Sequence, residues 1–355
     1  MEREKKSKWY LFAGIVVVLI LVIGTLALKQ KTVPNSEQIK IGIITDLTGP
    51  AGYWGESTRV GAEIAKKELA AEGYNVELIF EDYQLDATKA LTAAQKLVNM
   101  DNVDAVYAEF NPAAISANSF LKDKGKLFVY NAAVASPLED NSNAYKTYLD
   151  YQIGCKQIAQ KFKNQGVEKI GMLKVNLEFG ELCQAGVKEI YQDKMFSESY
   201  NLGDADFKTQ VLKLKNDVVG AIINTGFEGD TLSTLKALQE LKFNIPYGTV
   251  DDTVTDNVKT KYPNELKGAW TFGFKDVDKD FSAKIQKESS KKLATEYAAA
   301  IAYTHLKQMA KALDKCKKEL VCVKTELDKS KADDTIGFKK FQDRIADLDM
   351  AIKQY

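Results

Sequence analysis

The sequence contains one histidine, His305, among 355 residues, and only six prolines. A single histidine excludes metal sites of the His-x-x-x-His type and leaves one residue that could serve as a histidine base. The glycines at positions 49, 52 and 55 fit neither a Gly-x-Gly-x-x-Gly loop nor a phosphate loop that ends in Gly-Lys-Ser/Thr. A Gly-x-Ser-x-Gly elbow is also missing. An enzyme is therefore the weakest functional hypothesis, and no cofactor is expected.

An excess of charge of one sign is missing too, because Lys+Arg and Asp+Glu balance at 49 each. Beyond residue 31 the chain carries 43 basic and 47 acidic residues, which gives no basic patch for nucleic acid or an anionic membrane. The hydrophobic fraction of 45% is that of a globular protein with a sizeable core. At this length we expect two domains or one body with two lobes.

The longest uncharged run, Leu11 to Leu28, lies near the start of the chain. Eighteen helical residues span roughly 27 Å, close to the thickness of a bilayer core. The basic residues before it predict a cytoplasmic tail at 1–10, a transmembrane helix at 11–28, a linker at 29–37 and an extracytoplasmic remainder. The alternative is a cleaved signal peptide, since Thr25-Leu26-Ala27 loosely resembles a cleavage site.

Four cysteines in an oxidising compartment favour one or two disulfides. Cys316 and Cys322 are six residues apart, and Cys155 and Cys183 each fall at the start of a predicted helix. Four unpaired core thiols are the alternative. Neither spacing suits zinc.

Strand and helix patterns alternate along the chain in two series. In the first, Ile39–Ile44 reads as a strand, and Asp86 precedes a helix whose apolar residues recur at intervals of three and four. Apolar strands between helices predict parallel sheets covered on both faces, and two series predict two doubly wound lobes. In such sheets ligands bind at loops beyond the carboxyl ends of strands, where Tyr53 and Trp54 place two aromatic rings.

The stretch IKIGIITDLTGPAGYWGESTRVGAEIAKKELAAEGYNVELIFEDYQLD resembles the opening of the Leu/Ile/Val-binding-protein family. These are class I periplasmic solute-binding proteins of branched-chain amino acid ABC transporters. The segments VDAVYAEFNPAAISANSF, GKLFVYNAAVASP, EFGELC and TIGFKKF continue the resemblance. It implies two lobes joined by three crossings near 138–150, 274 and 334. Lobe 1 would then comprise 38–145 and 275–334, and lobe 2 would comprise 146–274 and 335–355.

The resemblance also implies a ligand site in the cleft between the lobes. Its residues would be Trp54, Asn111, Ala133, Ala135, Phe179, Phe227 and, for an α-ammonium group, Asp251 or Asp252. The chain departs from the family where a serine and a threonine hydroxyl would be expected, although the amide of Asn111 can replace one donor. Each position has a structural alternative: Trp54 could cover a sheet edge, Asn111 could cap a helix, and the aspartates could form caps or salt bridges.

The function implied is a membrane-tethered solute receptor that delivers a small molecule to an ABC permease. An aliphatic or branched-chain amino acid, or a close analogue, is the default ligand. The alternative is a ligand-sensing domain that acts through a separate signalling partner in the membrane.

Overall fold

The computed structural model describes residues 37–355. The predicted cytoplasmic tail at 1–10, the predicted transmembrane segment at 11–28 and the linker up to residue 36 lie outside the described residues. Within 37–355, none of the helices combines the length and the apolar character needed to cross a bilayer.

The first part of the chain alternates strictly between strands and helices. Its elements are β1 Ile39–Thr45, α1 Gly52–Ala71, β2 Val76–Asp82, α2 Ala87–Asn99, β3 Ala105–Glu109, α3 Phe110–Asp123, β4 Leu127–Asn131, α4 Ser136–Asp140 and β5 Ala144–Lys146. The side chain of Asp86 caps α2 as predicted, accepting a hydrogen bond from the Lys89 N–H at 2.9 Å. Strands β3 and β4 are buried along their whole length, as expected for parallel strands covered on both faces.

The second part repeats this alternation. Its elements are α5 Tyr151–Asn164, β6 Ile170–Val175, α6 Glu178–Tyr191, β7 Met195–Tyr200, α7 Lys208–Asn216, β8 Ala221–Asn224, α8 Glu228–Glu240, β9 Tyr247–Val250, α9 Asp256–Lys261 and β10 Trp270–Phe274. The last part adds α10 Lys279–Glu288, α11 Glu296–Lys315, α12 Leu320–Asp328, β11 Phe338–Gln342, β12 Ile345–Leu348 and β13 Met350–Gln354.

The strands form two sheets with the same internal order. The first runs β2-β1-β3-β4-β5-β12-β11 and the second runs β7-β6-β8-β9-β10-β13. Pairing is parallel except for the β11–β12 hairpin and the antiparallel edge strand β13. Each sheet therefore has the 2-1-3-4-5 order of a doubly wound fold, and the prediction of two such lobes is confirmed.

The chain passes between the sheets after Lys146, after Phe274 and between Leu348 and Met350. The third position differs from the prediction, and assigning all of 335–355 to lobe 2 is wrong, because β11 and β12 belong to the first sheet. The hairpin turns at Asp343 and Arg344, which have φ of 50° and 67°. Two consecutive residues with positive φ suit a two-residue hairpin turn.

Hydrogen bonds and ring contacts fix this hairpin to lobe 1. The Arg344 guanidinium donates to the carbonyl oxygens of Leu138 and Asn141 at 2.8 and 2.7 Å. His305, on α11, packs its buried ring against Phe338 and Phe341 of β11. Burial lowers the pKa of His305 to about 4, so the imidazole is neutral and serves packing.

Both lobes contain one closely packed helix pair. In lobe 1, a Cβ at Gly61 of α1 would lie 1.9 Å from the Ala299 carbonyl oxygen of α11. In lobe 2, a Cβ at Gly186 of α6 would lie 2.1 Å from the Gln152 carbonyl oxygen of α5. Only glycine permits either approach.

The predicted disulfides are confirmed, and the structure gives their pairing. Cys155 bonds to Cys183 and so joins α5 to α6. Cys316 bonds to Cys322 and joins the end of α11 to α12.

Candidate ligand-binding site

One cavity lies where loops from both sheets meet. The loops follow β1, β3 and β4 of lobe 1 and β6, β8 and β9 of lobe 2, so they leave the carboxyl ends of the strands. The first crossing between the lobes closes one side. The lining residues are Tyr53, Trp54, Phe110, Asn111, Asn131, Ala132, Ala133, Tyr148, Tyr151, Phe179, Gly226, Phe227, Asp252 and Thr253.

The structure brings most of the sequence-predicted site residues to this cavity. Those that line it are Trp54, Asn111, Ala133, Phe179, Phe227 and Asp252. Ala135 and Asp251 do not line it. Ala135 lies two residues beyond the cavity wall, in a neighbouring pocket with Lys146 and Glu178.

Asp252 faces the cavity from a 3-10 turn, Asp251–Thr253, that follows β9. One carboxylate oxygen accepts a hydrogen bond from the Tyr148 hydroxyl at 2.7 Å. Burial raises the pKa of Asp252 to about 7, although the Tyr148 hydrogen bond lowers it in part. The group is therefore poised to take the charged form when a cation lies beside it.

Asp251 lies on the other side of the same turn, and its carboxylate is already occupied. Its partners are Thr271 at 2.9 Å, Tyr355 at 2.8 Å, Lys353 at 3.0 Å and Tyr297 at 3.3 Å. Tyr297 belongs to α11 of lobe 1, whereas Asp251 belongs to lobe 2. Asp251 therefore joins the two lobes beside the crossings and does not reach the cavity.

Six aromatic rings form a closed circuit around the cavity. In order they are Trp54, Phe110, Phe227, Phe179, Tyr151 and Tyr148, with Tyr148 returning to Trp54. Neighbouring ring centroids are 5.3–6.1 Å apart. The Tyr148 and Tyr151 rings are inclined by 27°, and the other neighbours by 60–84°. The circuit joins the lobes directly, because Phe110 of lobe 1 contacts Phe227 of lobe 2.

A buried carboxylate fixes the orientation of Trp54. Glu109, the last residue of β3, accepts a hydrogen bond from the Trp54 indole N–H at 2.9 Å and from the Thr58 hydroxyl at 2.7 Å. The Thr45 hydroxyl donates to its other oxygen. Burial raises the pKa of Glu109 to about 7 against these hydrogen bonds.

Two buried amides on the lobe 1 side are incompletely paired among the described residues. The Asn111 Oδ1 accepts from the Ala133 N–H at 3.1 Å, but its Nδ2 has no acceptor. Neither side-chain polar atom of Asn131 has a partner. A buried polar group left unpaired costs about 1–3 kcal/mol, so these atoms are suited to a polar ligand.

The backbone is also strained at Phe110, on the lobe 1 side of the cavity. Phe110 has φ of 66°, an unusual conformation for a bulky residue. Its position at the start of α3 places its ring against both Trp54 and Phe227. Strain of about 1–3 kcal/mol at a cleft residue is a common sign of a functional site.

Four further cavity residues were not predicted from the sequence: Phe110, Asn131, Tyr148 and Tyr151. Asn131 could have been found, because it ends β4 at the edge where Ala133 was predicted. Phe110 precedes the predicted Asn111, and only its backbone conformation turns it into the cleft. The two tyrosines belong to the first crossing and the helix after it, which a search of strand ends does not cover.

The side chains that the structure places around this cavity include one acid, Asp252, and neither lysine nor arginine. The wall therefore combines aromatic surface, two incompletely paired amides and a single titratable carboxyl group.

A known protein family matches almost all of the described residues. A family model described as periplasmic binding protein matches residues 38–354. The Leu/Ile/Val-binding protein of Escherichia coli (strain K12) is 26% identical over 224 residues, covering 58% of this chain and 59% of the relative. The Leu/Ile/Val-binding protein homolog 7 of Brucella abortus (strain 2308) is 22% identical over 241 residues, covering 62% and 60%. The matches thus span about three fifths of these curated relatives.

Solved structures share the fold at low identity. The substrate binding protein LivJ from Streptococcus pneumoniae, in complex with isoleucine, has a TM-score of 0.79 and 18% identity, covering 90% of this chain and 96% of that chain. A solute binding protein from R. palustris, in complex with 4-hydroxybenzoate, has a TM-score of 0.80 and 17% identity, covering 90% and 93%.

Proposed function

Because the chain belongs to the periplasmic binding protein family, we propose that it is an extracytoplasmic receptor that closes around a small solute and delivers it to an ABC permease. The observation that carries this proposal is the cavity at the carboxyl ends of both sheets, lined by residues of both lobes. The Nδ2 of Asn111 and both side-chain polar atoms of Asn131 have no partner among the described residues and are suited to pair with a solute.

Closure around the solute is a shift of population. A solute that contacts both lobes binds the closed form more tightly than the open form and therefore favours it. The contact between Phe110 and Phe227 and the hydrogen bond from Tyr148 to Asp252 both reach across to lobe 2, so both would belong to the closed form. The permease would then recognise the closed arrangement of the lobe surfaces.

For the ligand, an amino acid or a close analogue fits the polar groups at the two walls. Asp252 of lobe 2 would hold an ammonium group, and Asn111 of lobe 1 would donate from Nδ2 to a carboxylate. The names of the curated relatives support an amino acid. A purely anionic solute, such as the benzoate in some structures of this fold, would face Asp252 without any basic side chain.

The receptor would work outside the cytoplasm, tethered by the uncharged segment at 11–28. Two disulfides within the described residues agree with an oxidising compartment. If the segment is cleaved, the receptor would be released from the membrane, and a comparison of the mature mass with the sequence would show it.

The proposal is tested by thermal melting of the purified full chain, first freed of co-purified solute, against amino acids, amides, amines and small carboxylates. A ligand at one hundred times its dissociation constant stabilises by about 2.7 kcal/mol, which raises Tm by a few degrees. Asn111→Ala should remove the shift, whereas Ala135→Ser, outside the cavity, should retain it. A flat panel from folded protein would contradict an amino-acid, amide, amine or carboxylate ligand and favour a sensor whose partner is another protein.

A further inference from the structure

The aromatic circuit differs from an ordinary apolar lining because each of its six rings contacts the next, and the last contacts the first. All six rings line the same cavity, and every neighbouring pair is within 6.1 Å between centroids. Most neighbours are steeply inclined to one another, so the rings form walls and not a single stack. A cation within about 6 Å of a ring centroid is attracted by the negative face of the ring. A cation bound in this cavity would lie among all six rings.

The charge of the lining residues also favours a cationic ligand. Asp252 is the one acidic or basic side chain among the lining residues, and Tyr148 is the one side chain within 37–355 that donates to its carboxylate. Bringing an isolated carboxylate into a closed cavity is costly unless a cation accompanies it. No lining residue supplies a positive charge to pair with the ionised form of Asp252, and a cationic ligand can supply it.

We infer that this cavity recognises a small organic cation whose nitrogen carries methyl groups. The inference rests on the proposed function and gives its ligand a chemical class. The methylated nitrogen lies within the aromatic circuit beside Asp252, and a second polar group of the ligand pairs with the amides of Asn111 and Asn131.

The distinction between a methylated and a primary ammonium follows from hydrogen bonding. A primary ammonium has three N–H donors, each of which needs an acceptor once water is removed. Seven of the fourteen lining residues are aromatic, and the faces of their rings offer no strong acceptor. The side-chain acceptors beside them are the Asp252 carboxylate and the unpaired Asn131 Oδ1, which are too few to satisfy three N–H donors at one position. Methyl groups remove the donors, spread the charge over a larger surface and pack against the rings, so the desolvation cost falls while the cation–π attraction remains.

The experiment is calorimetric titration of the full chain with two matched sets of probes. The first set is glycine, sarcosine, dimethylglycine and glycine betaine, in which only the methylation of nitrogen changes. The second set is choline and 3,3-dimethyl-1-butanol, which have nearly the same shape but differ in charge. We expect affinity to rise along the first set by about tenfold or more, and choline to bind about tenfold or more tightly than its neutral counterpart.

A variant separates cation recognition from simple burial. Phe227→Leu keeps an apolar side chain of similar bulk but removes one ring face from the circuit. It should weaken binding of choline several-fold and leave the neutral alcohol unchanged, with Tm reporting that the variant is folded.

The other outcomes separate this inference from the proposed function. If leucine or isoleucine binds and the methylated compounds do not, the receptor function stands and the inference is wrong. Equal affinity for choline and the neutral alcohol would also overturn it, since the cavity would then recognise shape alone. Failure of every solute, in these sets and in the melting panel, would contradict both.

Discussion

The two lobes share one strand order but present different chemistry to the cleft. Lobe 1 contributes Trp54, held by the buried Glu109, and the incompletely paired amides of Asn111 and Asn131. Lobe 2 contributes phenyl rings and Asp252. The shared topology determines where the loops lie, whereas the side chains after each strand determine what each wall recognises. Neither wall alone has both the incompletely paired amides and the carboxyl group, so the proposed ligand would need both walls at once.

The lobes also differ in how they hold their closest helix pair. In lobe 2 the disulfide Cys155–Cys183 joins α5 to α6. In lobe 1 the pair α1 and α11 has no such bond. It is joined by Glu68, which accepts hydrogen bonds from the Lys307 ammonium and the Tyr303 hydroxyl, both at 2.6 Å. The closest helix pair is therefore held by a disulfide in lobe 2 and by ion pairs and hydrogen bonds around Glu68 in lobe 1.

The largest expected effect concerns the charge on the lobe 2 wall. Asp252→Asn keeps an acceptor for Tyr148 but removes the partner of a bound cation, which costs about 3–5 kcal/mol and so more than 100-fold in affinity. Calorimetric titration measures the loss. The matched control is Asp251→Asn, which should change affinity far less because that carboxylate lies outside the cavity. Equal losses of affinity in the two variants would contradict the prediction that Asp252, and not Asp251, pairs with the ligand.

The next effect tests the covalent connection in lobe 2. Replacing Cys155 and Cys183 together by alanine should lower the free energy of unfolding by about 3–4 kcal/mol, because a 28-residue separation is no longer closed in the unfolded chain. Replacing Cys316 and Cys322 opens a separation of only six residues and should cost about 2 kcal/mol. Urea denaturation of both double variants checks the order, and a larger loss from the second pair would contradict it.

A third prediction concerns pH and the carboxyl group beneath the lobe 1 wall. The pKa of Glu109 is raised from 4.5 to about 7, so the folded protein binds its proton more tightly than the unfolded chain. The stability from this group is fully present below pH 4.5 and is lost as pH rises through 7, by about 3 kcal/mol. Glu109→Gln should remove that part of the pH dependence. Denaturation between pH 4.5 and 8 measures it, and an unchanged slope would show that Glu109 does not titrate there.

The smallest effect separates binding from stability within lobe 1. Asn131→Leu removes two unpaired buried polar atoms and should stabilise the ligand-free protein by about 1 kcal/mol while weakening ligand binding. Asn118→Leu is the control, since that buried amide is paired with Asp140 and Asn141 and its loss should destabilise. Thermal melting with and without ligand gives both quantities. Destabilisation by Asn131→Leu would mean that its amide is satisfied in the native protein.

Sequence patterns predicted the two lobes and the strand-end loops because apolar periodicity is a local property. Trp54, Phe179 and Phe227 each lie at the start of the helix that follows a strand, so the topology brings them to the same edge of the sheets. Asp251 and Asp252 could not be separated, because a single turn of 3-10 helix directs neighbouring side chains to opposite sides.

The prediction also failed where distant segments pair. The strand Ile345–Leu348 joins the first sheet through its pairing with β5, about 200 residues earlier in the chain. Likewise, Tyr148 reaches the cavity because the first crossing passes beside it. Neither fact is encoded in a short stretch of sequence.

The third crossing is a single residue long. β12 ends at Leu348 in one sheet and β13 begins at Met350 in the other, so both neighbours of Asp349 are held by strand pairing. Its carbonyl oxygen also accepts a hydrogen bond from the Lys275 N–H of the second crossing at 3.2 Å. Because the peptide planes are rigid, rotation at this crossing is confined to one φ and one ψ. Any change in the angle between the two sheets must therefore pass, at this crossing, through the two torsions of Asp349.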